Sequence, residues 1–169
     1  MKALGLAIAI LSLGSSGAIA APAADRCDLP AVKYMGDLQS VLSRRAVEVV
    51  NRSASLRSGD DVHLRRWIAP FADFSLGAGD VGRPLGKGVS GAQALAVEMK
   101  ADTFRYLGWN FIPTPVEAPC ASQKVEVEFT DTRGGKVYPV TFTFKDGRVV
   151  AAEGWSRTFE AGPLAPVGK

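Results

Sequence analysis

A single histidine, His63, and two cysteines, Cys27 and Cys120, are all that the 169 residues offer of those two side chains. A structural zinc site takes four ligands, so no metal centre is expected and no cofactor is implied. Charge of either sign is also in short supply as an excess. Twenty Lys and Arg face 17 Asp and Glu, and the basic residues are scattered among acidic ones. That balance excludes a nucleic-acid partner of the usual kind. Apolar runs are short. The longest, Ala3 to Leu13, falls below the roughly 20 residues a membrane-spanning helix needs, so no membrane span is expected.

What that run does resemble is the core of a secretory signal. Lys2 supplies a positive start, and Ser15, Ser16 and Gly17 loosen the chain. Ala18-Ile19-Ala20 then offers a small-x-small cleavage site before Ala21-Pro22. Residues 1–20 are read as a signal peptide, and the mature chain as exported, periplasmic or secreted. Removing Lys2 leaves 19 basic against 17 acidic residues in that mature chain. Its length suits one domain with a real core. In an oxidising compartment two cysteines favour a disulfide between Cys27 and Cys120. A lipid on Cys27 is the rival, but Ala23-Ala24-Asp25-Arg26 lacks the pattern that precedes a lipidated cysteine. Asn51-Arg52-Ser53 fits a glycosylation sequon, of consequence only in a eukaryotic pathway.

Residues 21–30 read as an extended tail. From Ala31 to about Ser53, Met35, Leu38, Leu42, Ala46 and Val49 step by three and four, one face of a helix. Asp60 or Asp61 is placed to cap a short second helix with Leu64, Trp67 and Ile68 on its face, stopped before Pro70. Ala72 to Leu76 reads as a short strand, and Gly77 to Val89 as a glycine-rich loop. Ser90 and Gln93 form a capping box before a third helix with Leu95, Ala96 and Met99 inward. Thr103 to Ile112 turns to β, Pro113 to Gln123 is a loop carrying Cys120, and three strands follow. Pro163, Pro166 and Gly168 mark a disordered C-terminal tail over 161–169. Helices first and an antiparallel sheet afterwards is α+β.

Asp146-Gly147 is a two-residue hairpin signal of the I′ type. Counting back from it pairs Phe144 with Val149, Phe142 with Ala151, Val140 with Glu153 and Tyr138 with Trp155. Paired side chains share a face, so Glu153 lands on an apolar face, while Ser156 falls on the solvent side. The preceding hairpin turns through Gly134-Gly135 and pairs Phe129 with Val140. A four-residue loop there shifts the pairs by two and keeps the face.

This order, with Ala69-Pro70-Phe71-Ala72-Asp73-Phe74 leading into the first strand and Gly91-Ala92-Gln93-Ala94-Leu95 opening the third helix, resembles the SnoaL-like branch of the nuclear transport factor 2-like superfamily. The likeness covers about residues 31–160. It implies a single cystatin-like cone domain, in which a curved, mostly antiparallel sheet wraps three helices around an apolar pocket. Relatives include isomerases, dehydratases, polyketide cyclases and binding modules, so the fold does not choose a function. Many such cones form a homodimer through the convex sheet. The usual catalytic sets of the family are not matched. Phe71 stands where an acid is common, Leu76-Gly77 where ketosteroid-isomerase-like members carry a base, and Tyr34 is the only tyrosine of the first helix. A His-Asp pair of the dehydratase kind would have His63 alone to draw on.

Five features compete for a role. Gly77-Ala78-Gly79-Asp80-Val81-Gly82 and Gly86-Lys87-Gly88-Val89-Ser90-Gly91 both fit G-x-G-x-x-G, but neither sits in the βαβ setting that dinucleotide binding needs. A mobile rim is the better reading. His63 suits a general base, or a surface cap. Trp67, Trp109 and Trp155, with Tyr138 and Val140, are pocket candidates, or core. Glu153 is the sharpest signal. A carboxyl on an apolar face suits proton transfer; alternatively Arg157 pairs with it, or a bulge at Gly154 turns it outward. The leading function is binding a small, largely apolar molecule in the cone. The alternatives are an isomerase or lyase using Glu153, and a protein-interaction module whose cone is filled by its own side chains.

Overall fold

The computed structural model describes residues 27–57, 61–108 and 112–159. The expected signal peptide, most of the expected N-terminal tail, Asp60, Trp109 and the residues after Phe159 lie outside the described residues. Within them run α1 (Met35–Ser55), α2 (Val62–Trp67), β1 (Ile68–Ala78), β2 (Pro84–Lys87), α3 (Gly88–Met99), β3 (Thr103–Leu107), β4 (Gln123–Asp131), β5 (Lys136–Lys145) and β6 (Arg148–Thr158). The strands form one curved, unclosed sheet in the order β2-β1-β6-β5-β4-β3. Only β1 and β6 run parallel. The α+β expectation is the fold observed.

The concave face is filled. Phe129, Phe142, Phe144, Val127 and Val140 from β4 and β5 are buried with Leu38, Leu42 and Ala46 of α1 and Leu95 and Met99 of α3. Phe129 and Phe142 meet edge-on, centroids 6.3 Å apart. The period seen in α1 is the one buried, with Leu38, Leu42, Ala46 and Val49 all inside. Asn51-Arg52-Ser53 lies in that helix with Ser53 buried, so the sequon is built into the core-facing turn. No helix among the described residues is long and apolar enough to cross a membrane.

Asp61 caps α2, its carboxylate accepting the His63 and Leu64 amides at 2.7 and 3.1 Å. Those bonds, Leu64's first, hold its carboxyl below the usual carboxylate range. Cys27 and Cys120 are joined, their Cα atoms 5.6 Å apart. Next to the disulfide the Asp28 amide donates to Asp146 O and the Asp146 amide to Cys120 O. The tail, the loop before β4 and the β5–β6 turn are thereby tied together.

The structure corrects the expected boundaries in four places. First, β1 begins at Ile68, directly after α2, and passes through Pro70. The β1–β6 register shifts between Ile68 and Asp73, so proline's missing N–H breaks no ladder bond. Second, the glycine-rich loop contains β2. Leu76 and Arg83 exchange backbone bonds at 3.0 and 3.3 Å, and Asp73 pairs with Lys87. Pairing supplies there the order that composition does not. Third, α3 starts at Gly88, before the expected capping box. The Ser90 hydroxyl donates to Lys87 O and the Gln93 side-chain amide to Leu56 O, so no box forms. Fourth, β3 ends at Leu107, short of the expected Ile112.

A correction to register rather than to a boundary matters most. The Asp146-Gly147 turn and the pair Phe144–Val149 are as expected, but the next pair is Thr143 with Ala151. Val150 is an extra residue, a bulge, and every later side chain of β6 changes face. Phe142 now opposes Ala152 and Val140 opposes Gly154, both buried. Glu153 sits across from Thr141 and is exposed. The other hairpin uses its four-residue loop, pairing Phe129 with Tyr138 and keeping the face.

Candidate functional site

Beyond the filled core, at the end where β1 and β6 finish and β5 begins, a cleft of about 360 Å³ opens. Leu76, Gly77 and Ala78 of β1 form one wall with Val81 of the following turn. Tyr138 and Lys136 of β5, Ser156 of β6, Glu98 of α3 and Arg83 complete it. Arg83 and Glu98 form an ion pair there.

Tyr138 is 4% exposed. The Ser156 side chain lines the same cleft. Burial pushes the Tyr138 pKa above the ordinary tyrosine value, and the carboxylates of Asp131 and Glu98 push the same way. The phenol therefore keeps its proton at any neutral pH and offers it as a donor. The two hydroxyls line the cleft beside an apolar strip, an arrangement able to orient a bound molecule. They supply no base.

Of the described residues singled out from sequence as pocket-lining, Tyr138 lines this cleft, and Val140, Trp155 and Trp67 are elsewhere. Val140 is wholly buried in the core. Trp155 is 39% exposed and faces outward, lying over Gly77, where an added Cβ would fall 2.3 Å from its ring. Trp67 is half-buried against α1, with the Arg45 and Arg52 guanidiniums 5.6 and 5.7 Å from its centroid. His63 is exposed, its ring tilted against Trp67 at 5.4 Å. The structure brings His63 to Trp67, not to the cleft. The expectation that Glu153 faces the cone interior is corrected by the Val150 bulge, and with it the isomerase or lyase reading loses its acid–base group. Replacing Glu153 by Gln is expected to change the unfolding free energy by no more than about 0.5 kcal/mol, as at an ordinary surface position. Urea unfolding checks this, and a shift several times larger would put the carboxyl back inside.

Ser156, Lys136, Glu98 and Arg83 were not singled out from the sequence. Ser156 was hidden by the same bulge, which moves it from the solvent face to the interior. A signal existed: a glutamate on an otherwise apolar face means a register one residue out, and Val149-Val150-Ala151-Ala152, without alternation, is where the slip can sit.

Three helices on the concave face of an open, curved six-stranded sheet, with a polar-tipped cleft at its mouth, define an α+β cone domain. No family model matches the chain, and no curated protein does either. Solved structures similar to it include an NTF-2 like protein of unknown function from Silicibacter pomeroyi, at 16% identity over 70% of this chain and 94% of that one, TM-score 0.45. Another is a cystatin-like fold protein from Burkholderia xenovorans, at 14% identity over 73% and 95%, TM-score 0.44. An NTF-2 like protein of unknown function from Burkholderia xenovorans aligns at 16% identity over 74% and 89%, TM-score 0.42. At these scores none of them bears on the role of any residue here.

Proposed function

We propose that the mature domain binds a small molecule outside the cytoplasm, in the cleft at the mouth of the cone. Its apolar body lies on Leu76, Ala78 and Val81, and its hydrogen-bonding end meets Tyr138 and Ser156. The observation that carries this reading is a cleft the core leaves unfilled, lined on one side by Leu76, Ala78 and Val81 and on another by Tyr138 and Ser156. Pockets that are mostly apolar with a few convergent polar groups are the usual form of small-molecule sites. Export is supported by the Lys2 to Ala20 pattern and by the Cys27–Cys120 bond, since disulfides persist in oxidising compartments.

A thermal-shift screen of the mature chain against compact cyclic alcohols, ketones and acids tests the site. A genuine hit should lose about tenfold in affinity on Tyr138→Phe, the scale of one buried hydrogen bond. Hits that bind Tyr138→Phe and Ser156→Ala as well as the parent would overturn it. N-terminal sequencing of the protein made with its first 20 residues in place should read from Ala21, and a retained Lys2 would remove export.

A further inference from the structure

The polar groups of the cone-mouth cleft are weighted towards donors. Arg83 and Glu98 engage each other as an ion pair, which occupies the one carboxylate of the lining. What remains is the Tyr138 phenol, the Ser156 hydroxyl and the Lys136 ammonium. Burial, and then the carboxylates of Asp131 and Glu98, keep the proton on the phenol at neutral pH. An ammonium has three protons to donate and no lone pair to accept with. The end of a ligand that meets these groups is therefore an acceptor.

Strand alternation places Lys136 in the cleft. It stands two residues before Tyr138 on β5, so both side chains leave the same face of the sheet. In the ladder it lies opposite Asp131 of β4 and Thr158 of β6. Asp131 is the carboxylate placed to neutralise it, but its Oδ1 accepts the amides of Arg133 and Gly134 at 3.1 and 2.7 Å. That fastens Asp131 to the β4–β5 turn, and Lys136 makes no ion pair among the described residues. Asp131 and Glu98 still act at a distance, offset by Arg83 and Lys136, so direct contacts decide the preference. Charge-assisted hydrogen bonds are about twice as strong as neutral ones, and an ammonium without an ion pair gains most from an anion. The cleft's 360 Å³ lies at the low end of the roughly 300 to 1,000 Å³ of small-molecule sites, which suits a compact ligand.

Resting on the small-molecule reading above, we propose that the cone mouth selects a compact apolar monocarboxylate. Its carboxylate lies on the Lys136 ammonium and the Tyr138 hydroxyl, and its ring or branched body lies on Leu76, Ala78 and Val81. The test is calorimetric titration of the protein with four compounds that share one ring: cyclohexanecarboxylate, cyclohexanecarboxamide, cyclohexylmethanol and cyclohexylmethylamine. The carboxylate should bind about tenfold or more tighter than the amide and the alcohol, and the amine should bind most weakly. Lys136→Gln should close the gap between carboxylate and amide, and Lys136→Arg should keep it. Lys136 is exposed, so far-UV spectra should not change. Tyr138→Phe should weaken carboxylate and amide alike. The two readings fail differently. Equal binding of carboxylate, amide and alcohol, weakened by Tyr138→Phe and not by Lys136→Gln, would keep the cleft and overturn the anion. A carboxylate preference that survives Lys136→Gln would overturn it too, since Lys136 would not be its source. Tightest binding of the amine would assign the mouth to a cation through Glu98 and Asp131, with the same consequence. Binding of none of the four, or binding that neither Tyr138→Phe nor Lys136→Gln alters, would remove the cleft as the site and the proposal with it.

Discussion

Replacing Cys27 and Cys120 together by serine should lower the unfolding free energy of the domain by about 4 to 5 kcal/mol. The bond closes a loop of 93 residues, and in the chain-entropy model a loop of that length removes about this much freedom from the unfolded chain. The folded state changes less. The Asp28 amide still donates to Asp146 O, and the Asp28 carboxylate still meets Arg66. The loss is therefore expected in the midpoint of urea unfolding, with native spectra kept at low denaturant. Both cysteines must go, because a single substitution leaves a free thiol able to pair between molecules. A double variant within about 1 kcal/mol of the oxidised parent would mean that residual structure in the unfolded chain already holds the two ends together.

The disulfide was legible because the chain has only two cysteines, which leaves one pairing to expect. The face of α1 was legible because four residues at helical spacing, Leu38, Leu42, Ala46 and Val49, have one way to be buried together. The Asp146-Gly147 turn was legible for a local reason. It needs positive φ at both residues, found at 54° and 76°, and Asp-Gly is the pair that adopts it with little strain. These are properties of short segments. The hairpin β4–β5 kept its face under either loop length, so its inward residues could be named before its register was known.

What escaped was set by long-range pairing. Pro84–Lys87 has no strand composition and becomes β2 because β1 lies beside it with unpaired donors and acceptors. The bulge at Val150 lies in four consecutive apolar residues, where alternation gives no phase to read. One extra residue there reverses the inward and outward sets of the rest of β6. Glu153 and Trp155 go to solvent, and Gly154 and Ser156 come inside. The candidate site moved with them: its Tyr138 was found from the sequence and its Ser156 was not. The remaining lining, Arg83 and Glu98, comes from the hairpin turn and α3, which only the fold brings to the same mouth.

Gly91→Ala should destabilise the domain by about 2 kcal/mol, although alanine is the better helix former by about 1 kcal/mol. Gly91 lies in the first turns of α3 where the helix crosses β2. A Cβ built on it would stand 2.6 Å from the backbone C and O of Gly86 and 2.9 Å from Cδ2 of Phe74. Neither neighbour yields easily. Gly86 is held in the β1–β2 ladder opposite Phe74, and Phe74 is 1% exposed in the core. Overpacking of this kind costs about 1 to 3 kcal/mol or more, and here it acts against backbone. The other glycine motif supplies the controls. Gly82→Ala places its Cβ 3.9 Å from the Trp155 ring, an ordinary contact, and should be close to neutral. Gly79→Ala meets nothing within 4 Å but sits at φ +61°, so it should cost about 1 kcal/mol of left-handed strain. The expected order of loss in urea unfolding is Gly91, then Gly79, then Gly82. Glycines kept for close approach to a phosphate would behave otherwise. Their alanine variants would be as stable as the parent without ligand, and would differ only when a nucleotide was added. Equal stability of Gly91→Ala and Gly82→Ala would return these motifs to ligand binding; the graded loss assigns them to the packing of α3 and Trp155 on the first hairpin.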